Sequence, residues 1–130
     1  MAKTIDFGKI LTGEFKEGST GQEVTKAAIE KAKAAGIKSL VYCHSIGTYN
    51  HSAGVRLETR PKDEAGVGSY ERTYYPILLN TVYAIEYHCS FNIPEWDNQE
   101  VQIGFEDEAA FTKAGCNFLD GYQTDFLLIK

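Results

Sequence analysis

The alternation of apolar and polar positions predicts one clear amphipathic helix in the first third of the chain. Across residues 21–35, small and apolar side chains recur on one face, while Glu and Lys side chains occupy the other. Thr20 followed by Glu23 has the spacing of a capping box, which satisfies the first backbone amides of a helix. Gly36 is a residue type that commonly ends helices, so the boundary is predicted there.

Shorter patterns predict a second helix and four strands. Residues 3–15 have a roughly helical spacing of apolar side chains, interrupted by a glycine. Residues 39–43 form a short apolar run. The side chains of residues 81–90 and 101–106 are expected to alternate between the two faces of a strand. Residues 124–129, TDFLLI, are predicted to be a last, buried strand.

The strict alternation assigns each strand residue to a face of the predicted sheet. In the first long strand, one face carries Val82, Ala84, Glu86 and His88, and the other carries Tyr83, Ile85, Tyr87 and Cys89. In the next strand, Glu106 and Glu108 share a face that also carries Gly104. Asp107 points to the opposite face, so it cannot join the other two carboxylates.

The predicted elements indicate an α+β protein with a single domain over residues 1–130. We expect an antiparallel β-sheet covered by one or two helices, because the alanine-rich face of the helix over residues 21–35 suits close packing against a sheet. A chain of 130 residues with 43% hydrophobic content can bury one core.

Residues 55–75 have no sustained period and are expected to form a long irregular loop. Such loops are often functional, although a solvated loop without a function is at least as good an interpretation here. Arg56 and Arg60 are the candidates for holding a substrate carboxylate, because the guanidinium fork matches that geometry.

Charge and composition exclude several classes of partner. The net charge of −5 and the absence of a basic stripe argue against nucleic acid as a partner. No apolar run is long enough to cross a bilayer, so a membrane is not an expected partner either. The first residues lack a signal-peptide core, so a cytoplasmic location is the default, although any export signal of a longer protein would lie upstream.

The three cysteines Cys43, Cys89 and Cys116 are predicted to be reduced thiols. They are odd in number and form no CxxC pair, which argues against a disulfide framework and a zinc knuckle. Cys43 precedes His44, but adjacent strand residues face apart, so a buried core cysteine is favoured over a nucleophile beside its base.

The stretch YCHSIGTYNHSAG, residues 42–54, carries the candidate chemistry. His44 and His51 are seven residues apart, so they share a site only if the chain bends between them, and Gly47 is suited to that bend. Downstream, Glu86 and Glu106 lie within largely apolar strands. A buried carboxylate needs a partner, and a cation is the simplest one.

The residue order HSIG, H, IE, FED, FT resembles the C-terminal half of the pita-bread metallopeptidases, a family that includes methionine aminopeptidase, Xaa-Pro aminopeptidase, prolidase and creatinase. His44, Gly47 and His51 match its histidine motif, and Glu86 and Glu106 match its two glutamate strands. Tyr87 replaces a proline of the family pattern. The match covers nearly the whole chain, so the resemblance implies half of a pita-bread fold.

The resemblance also implies a ligand set and a reaction. His44, Glu86 and Glu106 would bind a divalent metal, Mn²⁺, Co²⁺, Fe²⁺ or Zn²⁺, and the catalytic residues would be Glu86 as proton shuttle and His51 in contact with substrate. The reaction would be hydrolysis of a peptide bond near the N-terminus of a peptide substrate. For each residue alone, a structural role remains the alternative, and His88 is a hydrogen-bond candidate for Glu86.

One departure from the family limits this expectation. The complete site also uses two aspartates from the N-terminal half of the fold, which this sequence lacks. We therefore expect a longer parent enzyme, while this chain alone binds metal weakly or not at all and is inactive. The other hypothesis is a non-catalytic binding or interaction module. A half-fold without its twin would expose that twin's contact surface, which predicts self-association, for example as a homodimer.

Overall fold

In a computed structural model, residues 1–46, 54–65 and 70–129 are described. They form three α-helices and a single antiparallel sheet. The helices are α1 (Ala2–Gly13), α2 (Gly21–Ala34) and the short α3 (Lys62–Ala65); the strands are β1 (Lys38–Val41), β2 (His44–Ser45), β3 (Thr81–Ile93), β4 (Gln99–Thr112) and β5 (Gly115–Phe118). The α+β class and the antiparallel sheet covered by helices are confirmed, and this architecture is compatible with half of a pita-bread fold.

The two predicted helices begin and end close to the predicted residues. In α2, the Thr20 side chain accepts a hydrogen bond from the Glu23 amide, while the Glu23 carboxylate accepts one from the Thr20 amide, so the capping box is present. Gly36 follows the last turn with φ +68°, which favours glycine. No helix within the described ranges has the length and apolarity needed to span a membrane.

The sheet has the order β1, β3, β4, β5, and β2 continues the line of β1 along β3. Val41 lies opposite Tyr87 and His44 opposite Ala84, so the two short strands keep one register on β3. The following residues Val55, Leu57 and Thr59 lie along the outer side of β1 and β2. Leu57 donates its amide to the Cys43 carbonyl, and Thr59 donates to that of Val41.

The irregular loop predicted for residues 55–75 is thus wrong in part. Residues 55–59 are extended along the sheet edge, and Arg56 forms a bridge with His44. Further along, residues 62–65 form α3, and Arg72–Tyr74 form a turn of 3₁₀-helix. The alternation in these residues is too short to be distinguished from a loop pattern by periodicity alone.

Helices α1 and α2 cover one face of the sheet, and the core lies between the helices and the sheet. Tyr83, Ile85, Tyr87 and Cys89 of β3 are fully buried on that face, as the alternation predicted. Tyr87 stacks on Phe105 with 5.0 Å between ring centroids, and its hydroxyl donates to the Thr4 carbonyl of α1 at 2.9 Å. The opposite face carries Glu86 and His88.

The prediction of a last buried strand at residues 124–129 is wrong. These residues form no strand, and Phe126, Leu127, Leu128 and Ile129 are largely exposed. The chain leaves β5 at Phe118 and turns at Gly121, where φ is +79°. An apolar run indicates burial only if another element covers it, and none does so among the described residues.

Two glycines of α1 provide a matched test of packing against Tyr87. A Cβ on Gly8 would lie 2.6 Å from the Tyr87 hydroxyl, whereas a Cβ on Gly13 meets nothing within 4 Å. Both positions gain helix propensity from alanine. We therefore expect Gly13→Ala to leave stability equal or raise it by up to about 1 kcal/mol. Gly8→Ala should lower it by about 1–3 kcal/mol through overpacking.

Chemical denaturation of the two variants beside the wild type measures the difference. The structure predicts opposite signs for two identical substitutions in one helix. Equal effects at both positions would contradict the close contact between α1 and β3.

Candidate functional site

The site lies on the face of the sheet that α1 and α2 leave uncovered. His44 of β2 lies opposite Ala84 of β3, and Glu86 is the next residue of β3 on the same face. The small side chain of Ala84 leaves room between the imidazole and the carboxylate. His44 Nε2 is 3.6 Å from Glu86 Oε2, and both side chains are largely buried.

Glu106 completes a carboxylate pair with Glu86. The two residues lie directly opposite each other in the ladder between β3 and β4, so their side chains leave the sheet side by side. Burial, a hydrogen bond with Glu106 and the negative charge of Glu106 raise the pKa of Glu86 to about 7. The two carboxylates therefore share a proton near neutral pH when no metal cation is bound.

A buried ion-pair cluster borders the pair on the side of the sheet edge. The Glu58 side chain is completely buried and accepts hydrogen bonds from Arg60 Nε at 2.9 Å and Arg60 Nη2 at 2.7 Å. Arg56 Nε is 3.3 Å from the same carboxylate. Burial acts to raise the pKa of Glu58, but the hydrogen bonds and charges of Arg60 and the charge of Arg56 together hold it below its usual value.

The two arginines thus have a partner within the chain, which the sequence did not reveal. In this structure both guanidinium groups bind Glu58, and their role in holding a substrate carboxylate stays a prediction. Their positive charges also act on Glu86, whose pKa they lower against the larger effects of burial and Glu106. The spacing R-x-E-x-R in RLETR, in which all three side chains share one face of an extended chain, was the available signal.

Tyr42 links the ion-pair cluster to the carboxylate pair. Arg60 lies over its ring, with 5.6 Å from the guanidinium carbon to the centroid, and His88 lies 6.3 Å away between centroids. Burial and the charges of Glu86 and Glu106 raise the pKa of the Tyr42 phenol. Sequence reasoning treated Tyr42 only as the start of the histidine stretch.

The donor set fits a divalent cation in part. Two ligands on one ion at bond lengths of about 2.1 Å lie roughly 3.0–3.4 Å apart, close to the distance between His44 and Glu86. Across the described ranges, however, no three His, Cys, Asp or Glu side chains stand in a ready metal-binding arrangement. In this structure, His44 and Glu86 alone are at a distance that suits two ligands of one ion.

The structure describes some of the remaining predicted residues and not others. His51 and Gly47 lie outside the described residues, so the predicted bend and the catalytic role of His51 stay predictions. The ion-pair partner of Glu86 among the described histidines is His44 rather than His88. Cys43 is buried on the core face, and burial raises the pKa of its thiol, which confirms a core cysteine.

The fold and the site together define an α+β protein with a histidine and a carboxylate pair on the face of its sheet opposite α1 and α2. Comparisons with protein-family models, with curated proteins and with solved structures found no match to this chain.

Proposed function

We propose that His44, Glu86 and Glu106 bind one divalent cation, and that this chain is the metal-binding part of a peptidase. The observation that carries the proposal is the proximity of His44 and Glu86, which are far apart in sequence, with Glu106 on the neighbouring strand. The imidazole of His44 lies 3.6 Å from the Glu86 carboxylate, and Glu106 lies directly opposite Glu86. Their order along the chain is the one that the resemblance to pita-bread metallopeptidases implies.

The raised pKa of Glu86 supports the same assignment. Two carboxylates side by side repel each other when both are ionised, and a cation removes that repulsion. A bound divalent cation would supply Lewis-acid polarisation of a carbonyl group. The chain's own contribution would be Glu86, as a ligand of that cation and, as the resemblance implies, as the group that moves a proton.

The hydrolytic step itself is proposed only for a longer protein. Peptides are the proposed substrates, and the two aspartates of the complete family site would come from an N-terminal half. This chain alone is expected to bind metal weakly and to leave peptides uncleaved. A non-catalytic interaction module is the alternative function, and an extended protein that carries both aspartates but binds no metal would favour it.

Calorimetric titration of the chain with Mn²⁺, Co²⁺ and Zn²⁺ tests the metal site. We expect one ion per chain, with affinity that rises between pH 6 and pH 8 because binding must displace the proton shared by the carboxylates. Glu106→Gln should lower the affinity by at least about tenfold, since it removes a charged ligand.

Asp107→Asn is the matched control for this titration. Asp107 is the neighbour of Glu106 in β4 but belongs to the opposite face of the sheet, so its loss of charge should leave the affinity within about twofold. Equal losses in the two variants would mean that the ion responds to net charge and not to a site. Absence of any heat of binding to the wild type at pH 8 would refute the proposal.

A further inference from the structure

Among the described residues, the outer edge of β4 has no strand paired to it over most of its length. Strand β4 has 14 residues, but β5 pairs only with Ala109–Thr112. One further hydrogen bond, from the Leu119 amide to the Glu108 carbonyl, continues this pairing by one step. From Gln99 to Asp107, no described strand lies on that side of β4.

The register fixes which backbone groups face outward along this edge. The Glu108 carbonyl points toward β5, and backbone groups alternate in direction along a strand. The amide and carbonyl groups of Gln102, Gly104 and Glu106 therefore also point away from β3. A free row of this kind is a template for another strand.

The same chain carries an apolar segment that lacks cover. The segment 124–129 contains four consecutive large apolar residues, and their exposed fractions are 61% for Phe126, 89% for Leu127, 85% for Leu128 and 100% for Ile129. Such a run combines apolar and strand-favouring side chains without proline or glycine, so it is suited to pairing with a sheet edge. Exposed apolar patches of this kind mark interaction sites.

The segment is held away from the edge of its own sheet. Continuing β5 in register would place these residues along the free part of β4, but Gly121 turns the chain away with φ +79°. Tyr122 then packs under α1: its hydroxyl lies 3.1 Å from Thr12 Oγ1, and its ring lies 4.6 Å from that of Phe118. The described residues that follow Tyr122 are exposed and do not pack on the chain's own sheet.

We propose that segment 124–129 adds as a strand to the free β4 edge of a second copy of this chain. Both halves of the contact are present on one molecule, so two copies can exchange segments reciprocally about a two-fold axis. The exchange has a register of its own, which differs from the continuation of β5, and it pairs the outward backbone groups of Gln102, Gly104 and Glu106. It also covers the four exposed apolar side chains, and it does not depend on the proposed metal site.

Light scattering after size exclusion, over a range of protein concentrations, tests the proposal with two kinds of variant. We expect the wild type to form dimers and Leu127→Asp/Leu128→Asp to be monomeric. Gly104→Pro removes an outward amide and should also abolish the dimer. Gly104→Ala is its matched control, because a Cβ there meets nothing within 4 Å and the amide remains, so the dimer should persist.

Hydrogen exchange of the backbone amides separates the proposal from its competitors. In the dimer, the amides of residues 102, 104 and 106 should be protected, and dilution or the double aspartate variant should remove that protection. A monomeric wild type overturns the proposal. Protection that is independent of concentration would mean that the chain covers its own edge, and a dimer that survives both Gly104→Pro and the double variant would place the interface elsewhere.

Discussion

Replacing Arg60 with alanine is expected to lower the free energy of unfolding by about 2–3 kcal/mol at pH 7. The substitution removes two hydrogen bonds from a carboxylate, that of Glu58, which has no exposed side-chain surface. Breaking a buried ion pair leaves an uncompensated charge, whose desolvation is what destabilises the protein. The Arg56 guanidinium and the Arg60 backbone amide remain as partners, which places the effect at the lower end of the usual range.

Lys62→Ala is the control for this prediction, and chemical denaturation is the measurement. Lys62 pairs with Glu71 at 3.4 Å, but both side chains are more than half exposed, so the loss should stay within about 0.5 kcal/mol. If Arg60→Ala has an equally small effect, the buried cluster does not stabilise the sheet edge. A role of Arg60 in binding substrate would then deserve a direct test.

The pH dependence of the Arg60 effect has a definite sign. The pKa of Glu58 is lower in the folded chain than in the unfolded one, so its contribution is present above about pH 4.5 and is lost as pH falls through the folded pKa. Without Arg60, that folded pKa rises toward its ordinary value or above it. The stabilities of variant and wild type should therefore differ most at pH 7 and converge toward pH 3.

Replacing Glu86 with glutamine is expected to raise stability at pH 8 by about 1–2 kcal/mol in the presence of a chelator. The pKa of Glu86 is about 7 in the folded chain, against an ordinary value of 4.5. Each unit of pKa corresponds to about 1.4 kcal/mol, and screening by solvent reduces the full value. The neutral amide keeps the shape of the side chain and removes its repulsion with Glu106.

The sign of this effect follows from proton binding. Below pH 4.5 the carboxyl is protonated in both states, so it makes no difference between wild type and variant. Between pH 4.5 and pH 7 the folded state binds the extra proton, so the stability of the wild type falls as pH rises, and above pH 7 the loss is complete. Denaturation of both proteins at pH 4, 6 and 8 measures the growing difference.

Glu95→Gln serves as the control. It makes the same chemical change, but Glu95 lies exposed in the turn between β3 and β4. It should leave the stability difference close to zero at all three values of pH. Saturating divalent cation should reverse the order, since ligation stabilises the wild type and Glu86→Gln removes a ligand. A wild type as stable as Glu86→Gln at pH 8 with chelator would contradict the strained carboxylate pair.

The face assignment of the sheet could be predicted from sequence because it is a local property. Alternation placed Glu86 with Ala84 and His88 on one face of β3, and Glu106 with Glu108 on one face of β4, with Asp107 on the other, and the register agrees. The capping box at Thr20 was equally predictable, since its hydrogen bonds join residues three positions apart. The end of the chain was not, because its apolar residues fit a buried strand as well as an exposed segment.

By itself, the sequence determined most of the elements and the chemical types available to them: two helices, the long strands of the sheet, a histidine at a strand end and a glutamate within each of two strands. Only the tertiary structure decided that Glu86 lies across from Glu106 and beside His44, and that Arg56 and Arg60 serve Glu58. The physical reason is range. Periodicity and capping act within a few residues, whereas strand register, burial and the pKa of Glu86 depend on partners brought together from distant parts of the chain.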